Sequence, residues 1–354
     1  MDLAFHELSS PDEFASLSQE WDALAVRSGS PFLDSAWVLA WWRAFDADER
    51  AFLLVGRGGD GVLRSGAFLT RRPDGGLAAA VNVHSADWDV VADGDAARAA
   101  CWREITQRAG RRLQLTPLPD SVAREAREAL TAAGFAVVAR SDDANPRLGL
   151  PSTWDELAAA ANMKPRSTLG RSTRALRAAG EVSFRTVRGG PTLEQDLAAF
   201  FELEAAGWKG QAGTAINCDP RTVTLYGDYA RRAATTGSLR LHLLHFDGTL
   251  LAAGLGCAYA GGAFLMKSAY DEDQGRYSPG LLLRAEILRS AIDEGCTFFD
   301  FLGSPAPHKL RWGAVPVTRW TVDGYRGLTR PIATYRNRLR PRLTSARDLV
   351  LRRG

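Results

Sequence analysis

A predicted helix start near residue 278 carries residue types that can bind an anion. A strand ending at Tyr270 leads through a loop to this helix, which opens with Ser278, Pro279 and Gly280. Serine is a favoured N-cap, proline suits the first helical position, and glycine leaves the backbone unobstructed. Because the first turn of a helix offers unpaired N–H groups, this segment can hold a pyrophosphate. An ordinary capped helix is the alternative.

Trp208 and Lys209 lie in a glycine-rich loop predicted over residues 207–219. The helix before it, predicted over 192–206, carries Glu204 close to its end. Loops that combine Trp, Lys and Gly more often bind a ligand than merely connect two elements. Glu204 is therefore a candidate general base, and a solvated carboxylate is the alternative.

Asp300 lies on a predicted strand among phenylalanines, where a carboxylate must be paired or hydrogen-bonded. Burial would raise its pKa, so Asp300 is either a general base or an ion-pair partner of Lys267 or Lys309. The 44 basic residues include only four lysines, and all four lie beyond residue 150. We expect Lys267 and Lys309 to face a common cleft with Asp300, because lysine offers a compact ammonium that arginine does not.

Two segments are rich in arginine. Residues 162–180 contain no acidic residue, and residues 326–353 contain nine Arg against one Asp. Such segments suit a phosphate-bearing ligand, RNA, an acidic protein or membrane phosphates. A solvated helix face is the alternative for both.

The order of elements predicts a mixed α/β (α+β) fold. Strands alternate with helices in both halves, and a length of 354 residues favours two domains. Residues 141–151 concentrate prolines and turn formers, so we place the boundary there. The expected organisation is an N-terminal domain over 1–150, a C-terminal domain over 151–330 and a basic helix over 331–354.

Composition excludes several classes of protein. With 44 basic and 41 acidic residues, the net charge of +3 is too balanced for a dedicated nucleic-acid binder. The chain has no CxxC pair, P-loop, HExxH or GxSxG motif, which disfavours metal and nucleophilic mechanisms. It has no apolar run near 18 residues and no signal-peptide pattern, so we expect no transmembrane segment and a cytoplasmic location.

In combination, these motifs resemble the CelD-type acetyltransferase group of the GNAT superfamily, which is similar to the FemAB aminoacyl transferases. The resemblance covers about residues 160–315, and it implies two GNAT-like domains. The matching motifs are Glu204 with Trp208-Lys209-Gly210, Asp247-Gly248, Lys267 with Tyr270-Asp271, Ser278-Pro279-Gly280, Asp300-Phe301-Leu302-Gly303, and Lys309 with Trp312.

The resemblance implies that an acyl group, in the first place an acetyl group, is transferred directly from acetyl-CoA or another acyl-CoA to an amine. The amine belongs to a small molecule or a peptide, and the transfer uses no metal. Such chemistry needs a base for the ammonium proton and an acid for the leaving sulfur. The implied bases are Glu204, Asp271 and Asp300, and the implied acid is Tyr270 or Tyr277. The implied donor site comprises Arg276, Tyr277, Ser278, Pro279, Gly280, Leu281 and Leu282. The implied substrate contacts are Trp208, Lys209, Lys267, Lys309 and Trp312.

Two rival hypotheses stay open. A FemAB-like enzyme would take its acyl group from aminoacyl-tRNA, and the arginine-rich segments could bind that tRNA or an acyl carrier protein. A non-catalytic GNAT-like protein would instead use the same segments to hold an acidic partner.

Overall fold

The structure of the protein is a computed structural model that describes residues 2–160 and 164–331. Its strands are β1 Ala4–Leu8, β2 Ala51–Arg57, β3 Leu63–Arg71, β4 Leu77–Ala79, β5 Val91–Ala92, β6 Arg112–Leu118, β7 Ala136–Gly149, β8 Val182–Val187, β9 Leu239–Phe246, β10 Thr249–Tyr259, β11 Gly262–Tyr270, β12 Phe298–Asp300 and β13 Val315–Tyr325. Its helices are α1 Pro11–Ala15, α2 Ser18–Ala25, α3 Ser35–Glu49, α4 Asp95–Arg108, α5 Asp120–Ala132, α6 Trp154–Ala160, α7 Lys164–Ala179, α8 Leu193–Ala206, α9 Trp208–Gln211, α10 Pro220–Thr235, α11 Pro279–Asp293 and α12 Pro307–Leu310.

The strands form one continuous mixed sheet in the order β1-β2-β3-β4-β6-β13-β7-β12-β11-β10-β9-β8, and β5 pairs with β3. Most neighbours are antiparallel, while β4 with β6 and β11 with β12 are parallel. The predicted mixed α/β fold class is confirmed. Instead of a separate sheet in each half, however, the strands of both halves join.

The join explains why the segment predicted as a linker is a strand. Residues 141–149 belong to β7, whose 14 residues pair with β13 along one edge and with β12 at its end. The turn former Asn145 is accommodated with a φ of 46°, where the register against β13 shifts between Val315 and Val317. A bulge therefore absorbs the residues that indicated a boundary.

The division into the domains 1–150 and 151–330 stays a prediction, and the sheet continues across the boundary between them. The late strand β13 inserts between β6 and β7 of the first segment. Core packing crosses it as well: Trp37 of α3 makes edge-on ring contacts with Tyr226 and Tyr229 of α10. The predicted basic helix over 331–354 lies, apart from Pro331, outside the described residues. None of the described helices combines the length and apolar character that a membrane crossing needs.

A buried ion pair ties β13 to the first segment. Arg319 donates from Nε to Asp87 over 2.5 Å, and the Ser30 hydroxyl donates to the other oxygen of Asp87 over 3.0 Å. Both charged side chains are 7% exposed. Burial raises the pKa of Asp87, and the nearby charge of Arg319 opposes that rise.

We predict that Arg319→Met destabilises the protein by about 3–5 kcal/mol, because it leaves a buried carboxylate unpaired. Adding Asp87→Asn removes that charge, so the double variant should recover part of the loss. Urea unfolding at pH 7 measures both free energies. A double variant as unstable as the sum of the single variants would contradict the pairing.

Candidate active site

The sheet opens between β11 and β12. These parallel strands pair only from Gly262 to Phe264 with Phe298 to Asp300, and beyond that point they diverge. The chain turns away from β12 through Leu302 and Gly303, which have left-handed φ values of 52° and 63°. The gap holds a cavity of about 780 Å³, a volume typical of small-molecule sites.

Most of the predicted site residues line this cavity. They come from the end of α8, from α9, from the diverging part of β11, from the start of α11 and from the segment around α12. The predicted residues that it brings together are Glu204, Trp208, Lys209, Lys267, Tyr270, Ser278, Pro279, Gly280, Leu281, Lys309 and Trp312. Those that do not line it are Asp271, Arg276, Tyr277, Leu282 and Asp300.

Glu204 and Lys209 form an ion pair in the cavity wall. Lys209 Nζ donates to Glu204 Oε1 over 2.6 Å and to the Ser268 carbonyl over 2.8 Å. The second carboxylate oxygen accepts the Ile216 N–H over 2.9 Å. Lys209 therefore joins α8 to β11, and both oxygens of a carboxylate that is 1% exposed have partners.

The segment predicted as a loop over 207–219 contains the short helix α9, which folds back on the end of α8. Gly210 lies so close to α8 that a Cβ on it would be 1.8 Å from the Ala205 carbonyl oxygen. Only glycine fits there, which explains part of the glycine content of this segment. The Trp208 N–H donates to Glu272 over 2.9 Å and fixes the other side of α9.

The start of α11 departs from the predicted capping. Ser278 occupies the N-cap position, but its backbone is left-handed and its side chain makes no capping hydrogen bond. Its carbonyl instead accepts the N–H groups of Leu281 and Leu282, over 2.9 and 3.1 Å. Those two donors, predicted to be free for a ligand, are thus engaged. Gly280 lies against Tyr270, whose ring carbon would be 3.0 Å from a Cβ at that position.

Asp300 is bound outside the cavity. Its carboxylate accepts two hydrogen bonds from Arg147, at 3.0 and 3.2 Å, and one from the Leu302 N–H at 2.9 Å. Burial raises the pKa of Asp300, and the interactions with Leu302 and Arg147 oppose that rise. The predicted pairing with Lys267 or Lys309 is not formed, because the register of β7 places Arg147 directly opposite Asp300.

The loop after β11 accounts for three other predicted residues. Asp271 accepts the Asp273 N–H over 2.9 Å and begins a 3₁₀ helix over Glu272–Tyr277. The Tyr277 ring packs on Phe246, and the Arg276 guanidinium lies 4.7 Å from the Tyr277 ring centre. These contacts shape the loop without placing the side chains of Asp271, Arg276 or Tyr277 in the cavity wall.

The two cavity lysines differ in their partners. Lys309 Nζ donates to the carbonyls of Leu302 and Ser304, over 2.5 and 3.0 Å, and burial lowers its pKa to about 8. Lys267 forms no ion pair with any described residue, and its Nζ lies 5.2 Å from the centre of the Tyr226 ring. Burial lowers the pKa of Lys267, nearby Glu204 opposes that shift, and Lys209 adds to it.

Sequence reasoning missed Arg284, His308 and Glu272, which also line the cavity. Arg284 follows Gly280 by four residues on α11, so the two share a helix face, and that spacing could have indicated it. No comparable signal marks Glu272, since its contact with Trp208 joins residues far apart in sequence. Among the described residues, no group of three His, Cys, Asp or Glu side chains is placed to hold a metal ion.

The cavity coincides with a known domain. A family model described as "Acetyltransferase (GNAT) domain" matches residues 163–310, which include all but two of the lining residues. Residues 163–310 therefore form a GNAT domain. The predictions of that superfamily and of an N-acyltransferase enzyme are confirmed.

Several solved structures share the fold of this chain. FemX aligns over 94% of this chain and 99% of its own, with a TM-score of 0.63 and 14% identity. A conserved protein of unknown function from Bacteroides thetaiotaomicron aligns over 92% and 100%, with a TM-score of 0.58 and 13% identity. L-PGS from Bacillus licheniformis aligns over 94% and 97%, with a TM-score of 0.57 and 13% identity. A comparison with curated protein sequences finds no match.

We predict unequal costs for breaking the Glu204–Lys209 pair. Lys209→Met should destabilise the protein by about 3 kcal/mol, because it leaves a fully buried carboxylate unpaired. Glu204→Gln should cost less, since the Lys209 side chain is 21% exposed and water can solvate its ammonium. Chemical denaturation of both variants and of the double variant measures the coupling. Additive losses would contradict the pairing.

Proposed function

We propose that this protein transfers an acyl group, acetyl above all, from a coenzyme A thioester directly to an amine. The observation that carries the proposal is the gap between β11 and β12, which lies within the matched GNAT segment. Beyond Phe264, none of the described strands pairs with β11 on the β12 side. A free strand edge accepts an extended chain that offers its own amide groups. The pantetheine arm of coenzyme A is such a chain.

The start of α11 provides a place for the phosphates of the donor. Leu281 and Leu282 donate within the chain, so the contribution of this turn is the positive end of the helix dipole. The cavity walls also carry more cations than carboxylates: Lys209, Lys267, Arg284, Lys309 and Arg311 against Glu204 and Glu272. A polyanionic donor fits this imbalance.

The chemistry requires two proton transfers. The acceptor ammonium first gives one proton to a base, because only the neutral amine has the lone pair that attacks the acyl carbon. As the C–N bond forms and the C–S bond breaks, the second proton of the nitrogen is passed to the leaving thiolate through an acid. We assign the first proton to Glu204, the only predicted base in the cavity wall. An acceptor ammonium can replace the Lys209 ammonium at Oε1, since both are cations of one kind. Tyr270, 41% exposed at the cavity, is assigned as the acid.

Aminoacyl transfer from tRNA is the second candidate, and the exposed face of α7 favours it. Arg171, Arg174 and Arg177 are exposed at a spacing of three residues, on a helix that packs beside Glu272–Tyr277. Such a face can bind tRNA phosphates or an acidic acyl carrier protein. Acetyl-CoA and aminoacyl-tRNA are both cytoplasmic, so either donor agrees with the expected cytoplasmic location.

We predict that acetyl-CoA stabilises the protein against unfolding, by about 2.7 kcal/mol at 100 times its Kd, because a ligand of the native state adds its binding free energy. Thermal shifts with acetyl-CoA, longer acyl-CoAs and aminoacyl-tRNA compare the donors. Release of free thiol with a panel of amines then tests the reaction. Stabilisation by aminoacyl-tRNA alone would contradict the CoA assignment and favour the second candidate.

We predict that Gly280→Asp weakens acetyl-CoA binding more than Gly280→Asn, because only the aspartate repels the donor phosphates. Both side chains push equally on the Tyr270 ring, so the asparagine variant controls for steric effects. Calorimetric titration of the two folded variants measures the difference in Kd. Equal affinities would remove the phosphates from the start of α11.

A further inference from the structure

The guanidinium of Arg284 is the one cavity cation with a buried donor left unpaired in the described part of the chain. Its Nη1 is inaccessible to solvent and has no hydrogen-bond partner there. The group lies 5.2 Å from the centre of the Phe301 ring, and no ion pair joins it to a described carboxylate. Buried polar groups in native proteins are rarely left without partners, so an unpaired guanidinium indicates a missing ligand.

Two further nitrogen-bearing side chains stand near Arg284 on the same wall. His308 and Lys309 of α12 line the cavity with it. Burial is the largest cause that lowers the pKa of both side chains, and the charge of Arg284 lowers it further. Burial alone lowers the pKa of Arg284 to about 10, with no acidic group opposing the shift. The charge of Asp300 opposes the shift at Lys309, but the hydrogen bonds of its carboxylate go to Arg147 and to the Leu302 N–H. The wall therefore concentrates positive charge without its own counter-ion.

We infer that Arg284, His308 and Lys309 form a second anion-binding subsite in the cavity, one turn along α11 from Gly280, which takes a phosphoryl group of the donor. The inference rests on the proposed donor site and extends it to Arg284 and His308, with Lys309 assigned to the donor instead of the acceptor. A guanidinium binds a phosphoryl group through two parallel hydrogen bonds, which would engage Nη1. The stacking on Phe301 holds the planar group in a fixed orientation.

The subsite makes an unusual prediction for Arg284→Met. Replacing a half-buried cation, whose inaccessible Nη1 has no partner, by an apolar side chain of similar length should raise the unfolding midpoint. The same change should raise the Kd for acetyl-CoA by about tenfold to a hundredfold, as expected for a lost charge-assisted contact. A merely structural arginine would give a lower midpoint instead. Stability and affinity are thus expected to move in opposite directions.

Arg289→Met is the matched control. Arg289 lies on the same helix, pairs with Glu286 and covers the Trp154 ring at 4.2 Å, outside the cavity wall. Arg289→Met removes the same charge as Arg284→Met does, so the Kd of this control variant for acetyl-CoA should equal that of the wild type. Arg284→Lys, which retains charge without the fork, should bind with intermediate affinity.

Calorimetric titration with acetyl-CoA, acetyl-pantetheine and inorganic pyrophosphate tests the subsite. Acetyl-pantetheine lacks phosphates, so its affinity should not depend on Arg284, whereas acetyl-CoA and pyrophosphate should both bind Arg284→Met more weakly. Wild-type affinity for acetyl-CoA in Arg284→Met overturns the subsite and leaves the proposed function intact. Equal losses for acetyl-CoA and acetyl-pantetheine, with a lower midpoint, also overturn it.

The same titrations separate the two proposals. If the wild type binds pyrophosphate through Arg284 but does not bind acetyl-CoA, the subsite stands and the CoA donor falls. A CCA-ended RNA oligonucleotide that competes with acetyl-CoA for binding, and that also binds Arg284→Met more weakly than the wild type, would assign the phosphoryl group to the end of a tRNA. Absence of any Arg284-dependent binding of pyrophosphate, acetyl-CoA or the oligonucleotide overturns the subsite.

Discussion

The candidate site depends on the separation of β11 and β12 after three residue pairs. Adjacent parallel strands normally continue to pair, because each unpaired backbone group loses a hydrogen bond. Here the chain is diverted instead. Asp300 Oδ1 accepts the N–H of Leu302, and Asn145 exchanges two hydrogen bonds with Gly303, at 2.7 and 3.1 Å. These contacts stabilise a left-handed turn that strand pairing would not allow, so the gap is an enforced feature of the sheet.

The kind of ligand that this gap can bind depends on which of the charged side chains around it already have partners. Glu204 and Asp300 are each bound to a cation and a backbone N–H, so the buried carboxylates are structurally satisfied. The cations Lys267 and Arg284 have aromatic faces beside them instead of described carboxylates. Desolvated positive charge is costly in an empty cavity and favourable beside an anion. The arrangement therefore favours a negatively charged ligand over a neutral or cationic one.

Local signals in the sequence predicted much of this site. Pro279 indicated the start of α11 correctly, since its fixed φ suits only a first helical turn, and the Trp-Lys-Gly segment indicated a cavity wall. The partner of Asp300 could not be predicted, because Arg147 is 153 residues away and meets it only through the register of β7. For the same reason, turn formers at 141–149 indicated a linker: nothing local shows that β12 and β13 will flank them. The role of Arg284 likewise depends on Phe301, a tertiary contact.

Among the first 150 residues, none that the structure describes lines the cavity, yet the cavity depends on this part of the chain. β7 supplies Arg147 and Asn145, which hold Asp300 and Gly303, and β12 has no other neighbour on that side. Next to Lys267, His84 Nδ1 lies 3.1 Å from the Tyr226 hydroxyl, which positions the ring that Lys267 faces. The first half thus contributes to the cavity by fixing the turn and the aromatic face of the second half. The continuous sheet is the physical means, since backbone pairing transmits the position of β7 to β12 without a flexible joint.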